Sequence, residues 1–254
     1  MTIIHFGPTP FDADLIVFDK DGTLIDFEYM WGRLAKAWIA RLATWRGDPG
    51  LQTMLYQALG YDPVTERTIP KSPLALSTTE QTQTIVAATL YRHGVDWIQA
   101  EEKTLSAFEQ TMDELSLRDL IRPAGDVVGL FTKLREQAVH IAIITTDRRQ
   151  ETEETLALLQ ITPLVEHLFC GDDGLPWKPA PDTLLKTCDR LGVPPNRTVM
   201  VGDTEMDLLM GKRAGVGLRA AVLTGAGDRT ELQALADIVL QSIDEIAINN
   251  KHPA

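Results

Sequence analysis

Short apolar runs alternate with amphipathic stretches over most of the chain, and this alternation predicts the fold class. The runs LIVFD at 15–19, VHIAIIT at 139–145 and TVMVG at 198–202 are almost wholly apolar, as the buried strands of a parallel sheet are. The same pattern predicts helices at 127–136, 150–159, 181–191 and 205–214, and further strands within 164–170 and at 219–223 and 238–240. Strands that alternate with helices favour an α/β fold on a doubly wound parallel sheet.

A stretch with helical periodicity and no strand pattern interrupts this alternation early in the chain. Its first helix carries an apolar stripe at helical spacing, formed by Trp31, Leu34, Trp38, Leu42 and Trp45. We expect this stripe to pack inside a helical subdomain, although a cofactor site or a surface for a second subunit is an alternative use. The glycines and proline of GDPG at 47–50 end the helix.

Two further helices are predicted in this stretch, at about 78–93 and 96–117, after a loop at 69–77. Ser77 or Thr79 is a candidate cap for the first, and Asp96 for the second. We therefore expect two domains. An α/β core comprises residues 1–26 and 118–254, and an all-helical insert comprises residues 27–117.

Composition and charge limit the classes of partner. The net charge of −12 disfavours nucleic acid and anionic membranes, so an anionic substrate requires a cation within the site. No apolar run approaches the ~20 residues that span a bilayer, and the N-terminus has no signal-peptide pattern. Cys170 and Cys188 form no metal-binding pattern, and we expect both to be buried and reduced. These features predict a soluble, cytoplasmic protein.

Acidic side chains follow two predicted strands, at the edge where open α/β sheets bind their ligands. Asp19 and Asp21 follow the first strand, with Gly22 allowing a tight turn, and Asp203 and Asp207 follow TVMVG. Buried carboxylates require a cation among them, and oxygen ligands suit Mg²⁺, for which Asp19 and Asp203 are the candidates. In extended chain Asp19 and Asp21 point the same way, so one can attack a substrate while the other handles a proton.

Simpler explanations exist for several of these residues. A calcium loop of the helix–loop–helix type is excluded, because Leu24 and Met30 stand where it needs glycine and glutamate. Asp203 is also a candidate helix N-cap, which is compatible with a metal role. Thr145 and Lys178 are each weak evidence alone. Thr145 is a candidate because it lies at the end of a predicted strand, and Lys178 because prolines follow it closely in the chain.

Taken in order, these segments resemble the haloacid dehalogenase superfamily of phosphotransferases. DKDGTL is similar to its first motif, IAIITTD to the strand that ends in threonine or serine, WKPAP to the lysine motif and GDTEMD to the acidic motif. The stretches RPAGDVVGLFTKLREQAVHIAIIT, GDTEMDLLMGKRAGV and ADIVLQSIDEI extend the resemblance over most of the chain outside the insert.

The resemblance implies a role for each acidic residue. Asp19 is expected to be the nucleophile that forms an aspartyl-phosphate, and Asp21 the general acid and base. Asp19, the main-chain carbonyl of Asp21 and Asp203 are expected to bind Mg²⁺, with Asp207 supporting them from outside the ligand set.

The resemblance further implies how the phosphoryl group is held and what covers it. Gly22, Thr145, Thr146 and Lys178 are expected to contact the phosphoryl oxygens. The insert takes the place of the family's helical cap, which closes over a substrate and excludes water. Phosphoglycolate phosphatases are the most similar pattern, so a small phosphorylated metabolite, such as a phosphoglycolate-like or sugar phosphate monoester, is the expected substrate.

Asp21 and Lys20, on either side of which the first motif continues, also indicate which branch of the superfamily the chain resembles. Asp21 argues against dehalogenases and phosphonate hydrolases, which lack an acid there, and against P-type ATPases, which carry DKTGT. Lys20 departs from the pattern, because the phosphatases more often have an apolar residue at this place. Its charge lowers the pKa of nearby carboxylates if it faces them, but the side chain is equally able to point away.

Other functions remain open from the sequence. One is a phosphomutase of the β-phosphoglucomutase type, and another is a non-catalytic binding protein on the same fold. Candidate substrate contacts in the insert, each better explained as a solvated charge on a helix face, are Arg33, Lys36, Arg67, Lys71 and Arg92. The chain is expected to be a monomer or a homodimer.

Overall fold

The structure is a computed structural model that describes residues 3–248, and the chain divides into two compact units. One unit is formed by Met1–Asp26 with Pro123–Ala254, and the other, the insert, by Phe27–Arg122. The predicted boundary at residue 117 was five residues short. The residues after it continue into a short helix whose Leu120 is fully buried, and the Asp119 carbonyl accepts a hydrogen bond from Arg33 of the insert.

The strands and helices are as follows. The strands are β1 (Ile3–Phe6), β2 (Thr9–Asp12), β3 (Leu15–Phe18), β4 (Tyr61–Asp62), β5 (Arg67–Thr68), β6 (His140–Ile144), β7 (His167–Phe169), β8 (Thr198–Gly202), β9 (Leu218–Val222), β10 (Ile238–Leu240) and β11 (Ile246–Ile248). The α-helices are α1 (Arg33–Arg46), α2 (Pro49–Leu59), α3 (Pro73–Leu76), α4 (Thr79–Arg92), α5 (Trp97–Leu115), α6 (Leu117–Leu120), α7 (Val127–Glu136), α8 (Arg149–Leu158), α9 (Asp182–Leu191), α10 (Glu205–Ala214) and α11 (Arg229–Leu235). Single 3₁₀ turns lie at Thr162–Leu164, Pro195–Arg197 and Ile243–Glu245.

A six-stranded parallel sheet in the order β10-β9-β8-β3-β6-β7 forms the centre of the first unit. Every residue of β3 is buried, as expected for a central strand with both faces covered. Leu15 is in register with His140 of β6 and with Thr198 of β8. Because these strands are parallel and aligned, the residues after them emerge at one edge of the sheet. The predicted doubly wound α/β core is confirmed.

Three strands outside this sheet were not predicted. Strands β11, β1 and β2 form a small antiparallel sheet in that order. Ile4 and Phe6 of β1 are fully buried, whereas His5 between them is not. An alternation over four residues is too short to distinguish a strand from a loop by periodicity.

The insert has a hydrophobic core of its own, formed mainly by α1, α2, α4 and α5. Helix α1 ends at Arg46, directly before the GDPG segment that was predicted to end it, and Gly47 follows in the left-handed conformation. Asp48 then caps α2, a helix that the sequence pattern did not indicate. Thr78 caps α4 through a capping box with Gln81, which corrects the choice between Ser77 and Thr79.

The aromatic stripe of α1 is only partly in this core. Leu34, Trp38 and Leu42 are buried, and the Trp38 indole N–H donates to the Thr104 carbonyl at 3.2 Å. Trp45, in the last turn, is 38% exposed and lies beneath the ammonium group of Lys103. The expectation that the whole stripe is interior was therefore wrong at its C-terminal end.

The insert is also not entirely helical. Strands β4 and β5 pair antiparallel, and both the backbone N–H and the hydroxyl of Thr68 donate to the carboxylate of Glu28. Glu28 belongs to a π-helical turn, Glu28–Gly32, that precedes α1. The predicted loop at 69–77 contains the short helix α3. No helix within residues 3–248 is long and apolar enough to cross a membrane.

Candidate active site

Lys178 joins the acidic residues that follow β3 and β8. Its ammonium group donates to Oδ1 of Asp19 at 2.5 Å and to Oδ1 of Asp207 at 2.7 Å, and only 6% of the lysine side chain is exposed. Although burial lowers the pKa of Lys178, the two carboxylates raise it above its ordinary value, so the side chain is a cation. The structure thus brings together a lysine and two acids from distant parts of the chain.

Asp207 is held by the first turn of α10. Thr204 is the N-cap of this helix, and Oδ2 of Asp207 accepts both its backbone N–H at 3.1 Å and its hydroxyl at 2.6 Å. Because Oδ1 accepts from Lys178, both oxygens of Asp207 are engaged. Asp203 is not the N-cap, contrary to one interpretation of the sequence, since Thr204 takes that place.

Asp19 and Asp203 each carry a buried oxygen without a hydrogen-bond partner among the described residues. These oxygens are Oδ2 of Asp19 and Oδ1 of Asp203, and the other oxygen of Asp203 accepts from the Ala226 N–H at 2.9 Å. Burial raises the pKa of Asp19 to about 6 and that of Asp203 well above its ordinary value, and repulsion between acids adds to both shifts. Such groups are costly to leave unpaired.

These orphaned oxygens make the site suitable for a divalent cation. One carboxylate oxygen from each of Asp19, Asp203 and Asp207 lies within 4.8 Å of the others. Hard cations such as Mg²⁺ take oxygen ligands and retain several waters, so two carboxylates with free oxygens suffice on the protein side. Since the oxygens of Asp207 are already engaged, Asp19 and Asp203 fit the role of direct ligands better.

Glycines from two loops pack directly against Asp203. Gly22 has a φ of +83°, and a Cβ built on it would lie 2.5 Å from Oδ2 of Asp203. A Cβ on Gly225, in the loop after β9, would lie 1.8 Å from the same oxygen. The hydroxyl of Thr224 donates to the Gly22 carbonyl at 2.5 Å and joins the two loops. We did not predict this second loop, although TGAG directly after a buried strand is a detectable signal.

Asp21 belongs to a second cluster with Lys20 and Asp147. The Lys20 ammonium group lies 2.6 Å from Oδ1 of Asp21 and 2.8 Å from Oδ2 of Asp147. Burial raises the pKa of Asp21 to about 8, and the charge of Asp147 adds to this shift while Lys20 opposes it. Lys20 therefore faces the acids rather than pointing away. Asp147 was not among the residues predicted to belong to the site.

Thr145 and Thr146 follow β6 at the same edge of the sheet. Thr145 is buried, its backbone N–H donates to the Phe169 carbonyl at 3.0 Å, and its hydroxyl accepts from the Asp147 N–H at 3.2 Å. A hydroxyl that accepts one bond still has a proton to donate. The Thr146 carbonyl packs against Gly171, where an added Cβ would lie 2.1 Å from it.

The family of the chain follows from a comparison with known proteins. A family model described as haloacid dehalogenase-like hydrolase matches residues 13–215, which is most of the chain. The chain belongs to this family. The matched region contains both lysines and all five aspartates of the site, whereas the loop of Thr224 and Gly225 lies beyond its end.

Two curated relatives of this hydrolase are named as phosphatases. The pyrophosphatase PpaX of Halalkalibacterium halodurans is 32% identical over 127 residues, which are 50% of this chain and 59% of that protein. The validoxylamine A 7′-phosphate phosphatase of Streptomyces hygroscopicus subsp. limoneus is 26% identical over 230 residues, covering 91% of this chain and 94% of that protein. With the first relative, the match therefore spans less than two thirds of its length.

A solved structure supports the fold of this hydrolase. A protein described as a predicted phosphoglycolate phosphatase from Haemophilus somnus 129pt superposes with a TM-score of 0.70 at 18% sequence identity. The superposition covers 93% of this chain and 96% of that chain. At this identity the likeness concerns the fold.

Proposed function

We propose that this hydrolase is a Mg²⁺-dependent phosphatase that acts through an aspartyl-phosphate on Asp19. The observation that carries the proposal is the pair of buried, unpartnered oxygens of Asp19 and Asp203 beside the ammonium group of Lys178. Lys178 is a fixed cation in this site, and Mg²⁺ would be a second one. Together they attract a phosphoryl group and leave the carboxylate of Asp19 able to attack it.

In the first step, an oxygen of Asp19 attacks phosphorus and the bond from phosphorus to the ester oxygen breaks. Asp21 gives its proton to the departing oxygen, which leaves as an alcohol, and Asp19 becomes an acyl phosphate. The raised pKa of Asp21 suits this role, because an acid must hold its proton near neutral pH in order to give it away.

In the second step, water attacks the phosphorus of the acyl phosphate and gives a proton to the carboxylate of Asp21. The bond between phosphorus and the Asp19 oxygen breaks, which releases inorganic phosphate and restores both aspartates. Lys178, the Thr145 hydroxyl and the backbone N–H group of Thr146 hold the phosphoryl oxygens in both steps. The N–H of Gly22, which was predicted to join them, already donates to the Ile25 carbonyl at 2.8 Å.

Asp19, Asp203 and the main-chain carbonyl of Asp21 would hold Mg²⁺, and Asp207 would support them by fixing Lys178. When bound, the ion supplies positive charge that offsets the negative charge on the transferring phosphoryl group. The fit of the site to an ion rests on the orphaned oxygens described above.

We further propose that the substrate is a small phosphorylated metabolite and that the insert serves as the cap over it. The relatives named as a validoxylamine A 7′-phosphate phosphatase and a pyrophosphatase support a phosphate ester or anhydride as the substrate. Phosphoglycolate, hexose phosphates and inorganic pyrophosphate therefore belong in the first panel of substrates. Formation of a sugar phosphate isomer instead of free phosphate would indicate a mutase.

The proposed mechanism is tested with p-nitrophenyl phosphate. Asp19→Asn and Asp203→Asn are expected to reduce phosphate release to background, while circular dichroism shows that both variants are folded. EDTA is expected to reduce phosphate release by the wild type to background as well. Reduction of the acid-quenched enzyme with borohydride converts an acyl phosphate to an alcohol, which peptide mass spectrometry would locate at position 19. An active Asp19→Asn variant, or full activity in EDTA, would refute the mechanism.

A further inference from the structure

Lys20 is a fully buried cation that the proposed mechanism does not use. Its side chain is 1% exposed, yet it lies between two carboxylates, at 2.6 Å from Asp21 and 2.8 Å from Asp147. A buried lysine is tolerated only where acids compensate its charge, and 15% of the Asp21 side chain and 11% of the Asp147 side chain are exposed. The three groups therefore hold one another in place.

The backbone on both sides of this cluster is fixed. The Lys20 carbonyl accepts from the N–H groups of Leu24 at 2.8 Å and Ile25 at 3.1 Å, so the loop after β3 closes around it. Asp147 is anchored by its own N–H to the Thr145 hydroxyl at 3.2 Å and by its carbonyl to the Gly171 N–H at 2.7 Å. The ammonium group of Lys20 thus bridges two hydrogen-bonded loops that follow the neighbouring strands β3 and β6.

Asp21 lacks such an anchor of its own. Among the described residues, its carboxylate has Lys20 and Asp147 as its charged neighbours, whereas Asp207 is held by a helix start and Asp203 by a backbone N–H. A general acid must lie within hydrogen-bond reach of the departing oxygen, so its rotamer matters as much as its chemistry.

We propose that Lys20 and Asp147 are positioning residues that hold the carboxyl group of Asp21 toward the leaving-group oxygen. The inference rests on the proposed phosphatase function and extends it. Lys20 contacts Asp21 directly, and Asp147 fixes Lys20 from the loop after β6. Neither residue touches the substrate. Their effect is confined to the step in which the leaving group takes a proton.

Two aryl esters of similar shape separate this role from a merely structural one. The p-nitrophenolate leaving group needs little protonation, whereas phenolate from phenyl phosphate needs more. With Mg²⁺ present, Lys20→Met is expected to lower kcat/KM for phenyl phosphate about tenfold or more beyond its effect on p-nitrophenyl phosphate, since general acid catalysis contributes about 10²–10⁴-fold. Lys20→Arg, which keeps the charge, is expected to recover part of the loss.

Asp147→Asn is the second variant, because it keeps the size of the side chain and tests the inference even if Lys20→Met does not fold. It is expected to show the same larger loss on phenyl phosphate than on p-nitrophenyl phosphate. For phenyl phosphate, kcat/KM of the double variant is expected to be no lower than that of the more impaired single variant. The matched control is Arg219→Gln, which breaks the 2.7 Å ion pair with Asp237 in the same unit. Arg219 lies near the start of β9, away from the site, so its loss should affect both esters equally.

The outcomes are distinct. Equal losses for the two esters in both Lys20→Met and Asp147→Asn would overturn the positioning role while leaving the phosphatase assignment intact. A wild-type protein that releases no phosphate with Mg²⁺ from either ester or from any member of the substrate panel would instead refute the proposed function.

Discussion

At the scale of single residues, the site is organised by two buried lysines that each bridge two acids. Lys178 joins Asp19 to Asp207, and Lys20 joins Asp21 to Asp147. Asp203 has no lysine of this kind, and Oδ1 of its carboxylate has no partner among residues 3–248. The excess negative charge therefore gathers at Asp203 and the free oxygen of Asp19, which is where a divalent cation compensates it best.

The close approach of Gly225 to Asp203 leads to a prediction. A methyl group at Gly225 would lie 1.8 Å from Oδ2 of a carboxylate that is 1% exposed, so the carboxylate must move. Gly225→Ala is expected to raise the Mg²⁺ concentration for half-maximal phosphatase activity by about 10–100-fold, the usual effect of disturbing the surroundings of a ligand. A Mg²⁺ titration of p-nitrophenyl phosphate hydrolysis measures it.

Gly215→Ala is the matched control for this substitution. Gly215 has a φ of +74° and no atom within 4 Å of an added Cβ, so alanine there strains the end of α10 without filling space. It is expected to lower stability by about 1 kcal/mol and to leave the Mg²⁺ requirement unchanged. An unchanged requirement in Gly225→Ala would mean that Asp203 is not a ligand.

The grouping of the acids was predictable from the sequence, whereas the residues that surround them were not. Asp19, Asp203 and Asp207 follow buried strands, and parallel strands align their carboxyl ends, so their proximity was predictable. The roles of Asp147 and Gly225 depend on which loop packs against which, and chain position alone does not specify that. Lys20 was noted as unusual, but its direction required the turn of the loop that follows it.

At the scale of secondary-structure elements, long periodic segments were predictable and short ones were not. The predicted bounds of the buried strands β3, β6 and β8 each agree with the structure to within one residue, because their apolar runs are continuous. Strand β1 and helix α3 have only four residues each, too few for periodicity to indicate a type. Helix α2 was missed although Asp48 and Pro49 form a recognisable start.

The start of α4 supports a prediction about stability. The Thr78 hydroxyl accepts from the Gln81 N–H at 3.3 Å, and the Gln81 side chain accepts from the Thr78 N–H at 3.0 Å. Thr78→Ala is expected to destabilise the insert by about 1 kcal/mol, the usual cost of losing an N-cap. Urea unfolding followed by circular dichroism measures it.

Thr79→Ala is the control for the cap, because the neighbouring threonine is the first helical residue and offers no cap in this structure. Alanine has the better helix propensity, so this change is expected to be neutral or slightly stabilising. Equal destabilisation by Thr78→Ala and Thr79→Ala would contradict the assignment of the cap.

At the scale of the whole molecule, each of the two units has a hydrophobic core of its own. The core of the insert includes Trp38 and Leu55, and that of the first unit includes Leu15 and Met200. Separate cores favour separate cooperative transitions on heating. The proposed metal ligands all belong to the first unit. Mg²⁺ should therefore raise the Tm of that unit and leave the Tm of the insert unchanged.

Calorimetry of the full chain tests this division. At 100 times its dissociation constant, Mg²⁺ stabilises the unit that binds it by about 2.7 kcal/mol, and Asp203→Asn should remove the resulting upward shift in Tm. Trp38→Ala is expected to lower the other transition, since truncating a buried tryptophan costs about 3–5 kcal/mol, and to leave the Mg²⁺ shift unchanged. If instead Mg²⁺ moved both transitions together in the wild type and in Trp38→Ala, the two cores would unfold as one cooperative unit. Stability of the insert would then be coupled to occupancy of the site.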